Sequence, residues 1–296
     1  RVFLEIVEKG SITKASESLF LTQPAVSIQL KKFQEQFPIP LTEIVGRKLY
    51  VTAFGQEIAQ ATRKILDQVS AIDHKTSLYQ GKLAGKLSIA VVSTGKYVMP
   101  YYLSDFVAAH PDIDFSMDVT NKLKVVEDLE GNRVDFALVS VLPDHLKLEQ
   151  LPLLENSLYL VGGRERDQKR KGEKGLIFTE QPLLYREQGS ATRNAMESFI
   201  QGKNLPVAKK IELTSNEALK QAVIAGLGYS IMPMIGIRND VERGDIVVIP
   251  FKGLPIRTQW NLVWLEKKNL SPVAQAFIEF LRKGKESITE KYFDWV

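Results

Sequence analysis

Apolar residues in the first 80 positions recur mainly at helical spacing, and the pattern is interrupted once by two short extended runs. The predicted elements are a helix that stops at Gly10, helices over Thr13–Leu19 and Pro24–Phe37, a hairpin of Leu41–Val45 and Leu49–Thr52 around Gly46, and a long helix from Gly55 to about Tyr79. The first third of the chain is therefore predicted to be a small helical domain with one hairpin and a helical extension.

The pattern changes after Lys86, where strand-like runs alternate with helical ones up to the last predicted helix, Pro272–Lys283. Such alternation is typical of α/β layers and predicts a largely parallel sheet. The charged segment Arg164–Gly175 is predicted to be a loop that divides this region in two.

The composition is that of an ordinary globular protein. The chain has 296 residues, of which 44% are hydrophobic and 25% charged, and this balance excludes wholesale disorder. The absence of cysteine excludes disulfides, thiolate nucleophiles and cysteine metal sites. No apolar run approaches the ~18 residues of a membrane span, and no signal segment opens the chain, so we expect a soluble cytoplasmic protein. The chain opens on Arg1 within a helical pattern, so we also expect a few native N-terminal residues to be missing.

The two short helices joined by Phe20-Leu21-Thr22 are spaced as in a helix-turn-helix. The apolar seam of the second helix leaves an outer face that carries hydroxyl, cationic and apolar groups, which suit the edges and phosphates of a DNA major groove. That face consists of Pro24, Ser27, Ile28, Lys31 and Lys32. The net charge of +4 favours no partner by itself, and spacing alone leaves open both a DNA-reading helix and a surface helix of any bundle.

Two segments, Phe3–Ser16 and Leu21–Leu30, closely resemble the LysR-type bacterial transcription regulators. The resemblance continues over the whole chain and implies an α+β multidomain fold. The implied parts are a winged helix-turn-helix, a long linker helix, a hinge and a two-lobed α/β effector-binding domain that resembles periplasmic binding proteins. A protein of this family is expected to be a homotetramer that binds promoter DNA under the control of a small metabolite, without a cofactor.

The resemblance assigns DNA contacts residue by residue. Positions that contact bases or phosphates in the family match Thr22, Gln23, Pro24, Ser27 and Gln29, while Ile28 matches a variable position that helps to set sequence preference. The family usually has Phe and Arg where this chain has Thr42 and Ile44, which leaves Arg47 and Lys48 as the cations of the wing. With the outer-face lysines Lys31 and Lys32, these residues form the predicted DNA interface.

The long helix carries an apolar stripe at heptad spacing. The stripe consists of Ile58, Ile65, Ile72 and Tyr79, widened by Leu66 and Val69. Periodicity alone leaves packing within the chain and dimerisation equally open, whereas the family resemblance implies antiparallel dimerisation through this helix.

Small polar residues occupy three strand-to-helix junctions, where ligands of α/β proteins commonly bind. The junctions are Ser93-Thr94-Gly95, Gly189-Ser190-Ala191-Thr192 and Ser215-Asn216. Each hydroxyl or amide could instead simply cap its helix. The family resemblance implies an effector pocket between the lobes, lined by Ser93, Thr94, Ser140, Gly189, Ser190, Ser215 and Asn216. The nearby cations Lys96, Arg186 and Arg193 favour an anionic effector, and strand alternation predicts that Arg186 and Glu187 point in opposite directions.

The segment 186–193 resembles that of a subgroup which regulates carbon-fixation and sulfur-assimilation genes. Gln188 and Ala191 stand where that subgroup usually has Pro and Gly.

The sequence contains no residue pattern that indicates an enzyme. The three histidines lack partners at metal-ligand spacing, no Gly-x-Ser-x-Gly elbow is present, and the lone Gly226-Leu227-Gly228 more simply ends a helix. We therefore expect no enzyme activity and no metal site. The alternative function is a periplasmic-type solute-binding protein, which the two-lobed half fits but the helix-turn-helix does not.

The predicted domains follow from these assignments. They are a DNA-binding domain over 1–54, a linker helix over 55–80, a hinge over 81–86 and an effector-binding domain over 87–296. Within the last, lobe I is expected at about 87–161 and 266–296, and lobe II at about 162–265.

Overall fold

The chain forms two compact units in a computed structural model, Arg1–Leu83 and Ala84–Val296. The structure describes residues 1–46, 48–79, 83–165 and 176–295. None of the helices among them is both long and apolar enough to cross a membrane. Each unit is described separately below.

The N-terminal unit contains four helices and one antiparallel hairpin among its described residues. The elements are α1 (Val2–Lys9), α2 (Ile12–Ser18), α3 (Gln23–Gln34), β1 (Thr42–Val45), β2 (Lys48–Val51) and α4 (Ala53–Tyr79). Gly10 ends α1 in the left-handed region at φ 59°, where glycine is favoured. The Ser11 hydroxyl then accepts a hydrogen bond from the Lys14 amide and begins α2.

The helix-turn-helix core brings one apolar face from each helix together. Ile6 of α1, Ala15 of α2 and Val26 of α3 are fully buried in one cluster, and the Phe3 and Phe33 rings meet at 5.2 Å. The hairpin joins this core through Leu41. A Cβ on Gly55 would overlap the Leu41 carbonyl oxygen, so glycine allows α4 to begin against the hairpin.

The C-terminal unit alternates strands and helices. Its strands are β3 (Gly85–Val92), β4 (Ile113–Thr120), β5 (Phe136–Val139), β6 (Leu148–Gly163), β7 (Pro182–Arg186), β8 (Lys209–Leu213), β9 (Ser230–Pro233), β10 (Ile246–Val248) and β11 (Ile256–Leu265). Its helices are α5 (Met99–Ala109), α6 (Lys122–Glu130), α7 (Ile177–Glu180), α8 (Ala191–Gly202), α9 (Asn216–Ile224), α10 (Arg238–Glu242) and α11 (Pro272–Phe293).

The main sheet is mixed, which corrects the expectation of a largely parallel sheet. Its order is β10-β6-β11-β5-β3-β4, with β9 also paired to β6. Strand β3 runs parallel to β4 and β5, but every pairing of β6 and β11 is antiparallel. Alternating strands and helices predict that a helix crosses over between neighbouring parallel strands. Strands β6 and β11 instead run antiparallel to the strands they pair with, so the expectation was wrong for this part of the sheet. A second, parallel sheet consists of β7 and β8.

Two long strands run through both lobes of this unit. The first lobe contains β3–β5, α5, α6 and α11, and the second lobe contains β7–β10 and α7–α10; β6 and β11 contribute to both. Leu158 and Leu160 of β6 pack with Phe178 in the second lobe, and Trp264 of β11 meets Phe136 at 5.6 Å in the first. Each of these two strands therefore continues unbroken from one core into the other.

Candidate nucleic-acid interface and ligand cleft

Helix α3 presents one exposed face and one buried seam. Val26 and Leu30 are buried, as the apolar spacing predicts, and Phe33 packs beside Phe37 at 5.2 Å between ring centroids. Of the residues predicted to contact DNA, Ser27 is half-buried and the exposed ones are Thr22, Gln23, Pro24, Ile28, Gln29, Lys31 and Lys32. The helix therefore presents these side chains on the surface of the N-terminal unit.

The start of α3 is fixed by its own sequence. The Thr22 hydroxyl accepts a hydrogen bond from the Ala25 amide at 3.4 Å, and Pro24 occupies the first turn, where its missing N–H costs nothing. This cap leaves the first turn exposed, as a reading helix requires.

The hairpin is the wing of a winged helix-turn-helix. Lys48 begins β2 and is exposed, whereas the predicted cation Arg47 lies outside the described residues. Ile44 is 72% exposed on β1, so the position that carries arginine in the family presents an apolar side chain here.

The apolar stripe of α4 divides between two roles. Ile58 and Leu66 pack into the core of the N-terminal unit, while Ile65 is 63% exposed and Val69 is also exposed. The side chains of Ile72 and Tyr79 lie outside the described part of the structure. The stripe therefore contains residues that pack α4 against its own domain and residues that are exposed to solvent in the single chain.

A buried arginine joins several of the predicted effector residues. Arg186 ends β7 and is 3% exposed. Its Nη1 donates to Asn216 Oδ1 at 3.0 Å, and its Nη2 donates to Ser93 Oγ at 3.1 Å. Since Ser93 belongs to the first lobe and Asn216 to the second, this guanidinium connects the two lobes.

Glu187 neutralises this arginine, and the expectation that the two side chains point apart is wrong. The Glu187 carboxylate accepts hydrogen bonds from Nε and Nη2 of Arg186, both at 2.8 Å. The strand ends at Arg186, so pleat alternation no longer applies to the next residue. A buried guanidinium also requires a countercharge.

Arg193 does not add free charge to the cleft. It donates to Glu197 at 3.0 Å, to Glu212 at 2.6 Å and to the Arg186 carbonyl at 3.0 Å. Its guanidinium also lies 5.9 Å from the centroid of the Tyr185 ring. Burial raises the pKa of Tyr185 to about 12, with Glu197 adding to this shift and Arg193 opposing it. Arg193 is therefore a structural side chain of the second lobe.

The polar residues at the three junctions differ in what they bond. Ser215 caps α9, because its hydroxyl accepts from the Ala218 amide at 3.0 Å. The Thr94 and Ser190 hydroxyls make no capping bond, although each residue is only 6% exposed. Ser215 therefore uses its hydroxyl to cap its helix, whereas Thr94 and Ser190 do not.

Two further predicted residues lie near this cleft. Gly189 has φ 81°, and a Cβ there would come within 2.8 Å of the side chain of Leu123 in the first lobe. Glycine therefore allows the lobes to approach at this point. Ser140 follows the end of β5 and is half-buried, and no hydrogen bond among the described residues links its side chain to Arg186.

The sequence reasoning noted Arg186 only as a nearby charge and missed it as the residue that organises the site. An arginine that directly follows the apolar run Pro182–Tyr185 was the available indication, because a charged residue at the end of a buried strand needs partners. Among the described residues, no group of three or more acidic or histidine side chains could hold a metal ion.

Family models match nearly the whole chain. The LysR substrate binding domain matches residues 80–286, and the lysR-family bacterial regulatory helix-turn-helix protein matches residues 1–56. The chain belongs to the LysR family. Because one chain carries both the helix-turn-helix and the two-lobed domain of this family, the solute-binding alternative is not favoured.

Within the LysR family, the chain is similar to regulators of carbon fixation. It is 34% identical to the HTH-type transcriptional activator CmpR of Synechocystis sp. over 97% of this chain and 95% of the relative. It is also 34% identical to the RuBisCO operon transcriptional regulator of Allochromatium vinosum, over 95% and 93% of the two chains. The predicted relation to the carbon-fixation subgroup is confirmed.

A solved relative contains a ligand. The Synechocystis CcmR regulatory domain in complex with 2-PG matches this chain with a TM-score of 0.63 and 29% identity, over 68% of this chain and 98% of that structure. The two-lobed fold of the C-terminal unit is thus that of a LysR effector-binding domain.

Proposed function

We propose that this LysR-family regulator binds promoter DNA through α3 and the wing, and that a small anionic metabolite bound between the lobes of the C-terminal unit modulates this binding. The observation that carries the proposal is the Arg186 guanidinium, which is buried and bonded to both lobes through Ser93 and Asn216. A ligand that competes for these bonds must change how the lobes are held together.

The proposed ligand is a small phosphorylated or carboxylated anion. The 2-PG bound by CcmR, 2-phosphoglycolate, is such a compound. Four hydrogen bonds leave one N–H of the Arg186 Nη1 without an acceptor among the described residues. The Thr94 and Ser190 hydroxyls would supply further donors, and the first amides of α8 follow directly after Ser190. Since Glu187 neutralises Arg186, directed hydrogen bonds rather than net charge select the anion.

The proposed DNA contacts are those of the exposed face of α3. Gln23, Ser27, Ile28 and Gln29 would meet base edges, while Lys31, Lys32 and Lys48 would meet phosphates. We assign the chain a regulatory rather than an enzymatic role, and a cytoplasmic location follows from its promoter target.

The proposed assembly is a homotetramer built partly through α4. Exposed Ile65 and Val69 provide an apolar surface suited to a second copy of the helix. Paired N-terminal units would then reach two half-sites of one promoter.

Calorimetric titration of 2-phosphoglycolate into the full chain tests the ligand assignment. We expect saturable binding that Ser190→Phe weakens at least tenfold, because the new ring occupies the cleft. Ser198→Phe, on the exposed side of the same helix, is the matched control and should bind as the unaltered chain does. Binding that survives Ser190→Phe, or a preference for neutral and cationic metabolites across a panel, would contradict the proposal.

A further inference from the structure

The Glu187 carboxylate occupies the edge of the Arg186 guanidinium that suits an anion best. Nε and Nη2 of Arg186 each donate to one oxygen of this carboxylate at 2.8 Å, which is the bidentate geometry that guanidinium groups make with carboxylates and phosphates. The two other hydrogen bonds of the guanidinium reach neutral groups, Ser93 Oγ and Asn216 Oδ1. The anion bound at this arginine is therefore a side chain of the protein itself.

Solvent reaches this ion pair mainly through Glu187. The side chain of Arg186 is 3% exposed, whereas that of Glu187 is 18% exposed. The edge formed by Nε and Nη2 of the guanidinium is thus covered by the more accessible of the two partners. Departure of the Glu187 carboxylate would open that edge to an anion from solution, while Ser93 and Asn216 continue to hold the guanidinium in place.

The segment that carries Glu187 connects the ion pair to the first lobe and to the start of a helix. Strand β7 ends at Arg186, so the pairing with β8 does not extend to Glu187. Gly189, two residues further on, has φ 81° and lies against the side chain of Leu123 in the first lobe. Ser190 then precedes α8 and makes no capping bond. A displacement of Glu187 therefore acts on a segment in contact with both lobes.

The burial of Arg186 restricts what can replace Glu187. A buried guanidinium that loses its countercharge is strongly destabilised, so an incoming ligand must supply a negative charge of its own. A neutral ligand cannot do this, and a chloride ion lacks the two oxygens that match the edge formed by Nε and Nη2. Exchange of one carboxylate for another anion leaves the charge balance unchanged, so the match of hydrogen bonds decides which anion binds.

We propose, on the basis of the function proposed above, that Glu187 is an internal competitor of the effector: a carboxylate or phosphate group of the ligand replaces it on Nε and Nη2 of Arg186. Only molecules in which Glu187 has left the guanidinium can bind, so Glu187 lowers the apparent ligand affinity. The displaced side chain moves the segment 187–190 each time a ligand binds, and this movement is how occupancy of the site reaches the first lobe.

Acetate rescue of the full-length Glu187→Ala variant tests the anion position without reference to the effector. The variant lacks the carboxylate but keeps the guanidinium, so sodium acetate should give a saturable rise of its urea midpoint, followed by tryptophan fluorescence, that sodium chloride at equal ionic strength does not give. The unaltered chain and Glu242→Ala, which breaks the exposed pair with Arg238, are the controls and should show no such rise. Equal midpoints of Glu187→Ala in acetate and chloride would overturn the proposal.

Titration of 2-phosphoglycolate tests the competition itself. Glu187→Gln keeps the size of the side chain but removes the charge that binds it to Arg186, so this variant should bind the compound at least tenfold more tightly than the unaltered chain. Glu242→Gln should change the affinity less than twofold. In Glu187→Ala, acetate should occupy the vacated position and raise the apparent Kd of 2-phosphoglycolate.

The outcomes distinguish this inference from the proposed function. Binding of 2-phosphoglycolate to the unaltered chain without a gain in Glu187→Gln would make Glu187 a positioning residue and overturn the competition alone. Acetate that stabilises Glu187→Ala without raising the Kd of 2-phosphoglycolate would mean that the ligand binds beside the ion pair, which also overturns it. Absence of binding in every variant would contradict the proposed ligand and, with it, the competition.

Discussion

The reading helix and the effector cleft differ in how far apart in sequence their residues lie. The predicted DNA contacts of α3 fall within positions 22–32 of one helix and its cap. The cleft instead joins Ser93, Arg186 and Asn216, which come from three separate junctions of strands and helices. The helical period of α3 is enough to place the predicted DNA contacts on one face. The positions of the cleft residues depend instead on how the whole sheet is connected.

The two sites also differ in how their polar groups are held. Apart from half-buried Ser27 and the Thr22 cap, the reading face is exposed, so most of its side chains can be changed without loss of the fold. The cleft is organised by a buried ion pair, so binding and stability depend on the same side chains. Substitutions should therefore separate function from stability in α3 but not at Arg186.

Removal of the buried guanidinium is expected to have the largest effect. Arg186→Ala leaves Glu187 without its partner and should lower the free energy of unfolding of the C-terminal unit by ~3–5 kcal/mol. Urea unfolding followed by tryptophan fluorescence measures this unit, because Trp260, Trp264 and Trp295 all lie within it. The exposed pair Arg257–Glu155 provides the control, and Arg257→Ala should cost no more than ~1 kcal/mol. Similar losses from both variants would mean that Arg186 does not organise the cleft.

Substitutions at different positions of the α4 stripe should affect either self-association or stability, but not both. Ile65→Asp places a charge on the exposed part and should weaken self-association by ~1.5–3 kcal/mol per side chain, with the N-terminal unit still folded. Ile58→Ala should instead destabilise that unit, because Ile58 packs into its core. Sedimentation velocity and thermal unfolding distinguish the two results. An unchanged assembly in Ile65→Asp would show that this surface is not the dimer contact.

Substitutions on α3 should change DNA binding alone. Ser27→Ala should reduce discrimination between operator and random DNA by ~1–3 kcal/mol, through loss of a base contact. Lys31→Ala should weaken binding to all sequences and reduce the salt dependence, as expected for a phosphate contact. Fluorescence anisotropy at several salt concentrations measures both effects. Unchanged operator preference in Ser27→Ala would mean that a different face of α3 reads the DNA.

The smallest expected effect is a change of stability with pH that arises from Tyr185, the residue before Arg186. Since its pKa in the folded state is raised to about 12, the neutral side chain stabilises the folded state fully below the ordinary tyrosine pKa of ~10. This contribution is lost as the pH rises through about 12. Burial also raises the pKa of Tyr102, so tyrosinate absorbance should show both tyrosines titrating late, and Tyr185→Phe should remove one of the two. A variant whose titration curve matches that of the unaltered chain would contradict the assignment.

Local chemistry explains which features could be predicted from the sequence. The Thr22 cap, the Val26 and Leu30 seam and the family resemblance required only neighbouring residues. The mixed sheet and the Arg186–Glu187 pair could not be predicted, because they depend on β6 and β11 returning through both lobes and on the point at which β7 ends. The capping role of Ser215, as opposed to Thr94 and Ser190, likewise depended on backbone geometry that spacing does not encode.

The central claim is that a ligand in the Arg186 cleft and DNA on α3 influence each other through one chain. Calorimetric affinity for 2-phosphoglycolate, measured on the full chain with and without saturating operator DNA, tests it most directly. Thermodynamic linkage requires that operator change the ligand affinity by the same factor by which ligand changes the operator affinity, and typical couplings are ~5–150-fold. We predict matched factors within this range, abolished by Ser190→Phe. Equal ligand affinity in the presence and absence of operator would contradict the account.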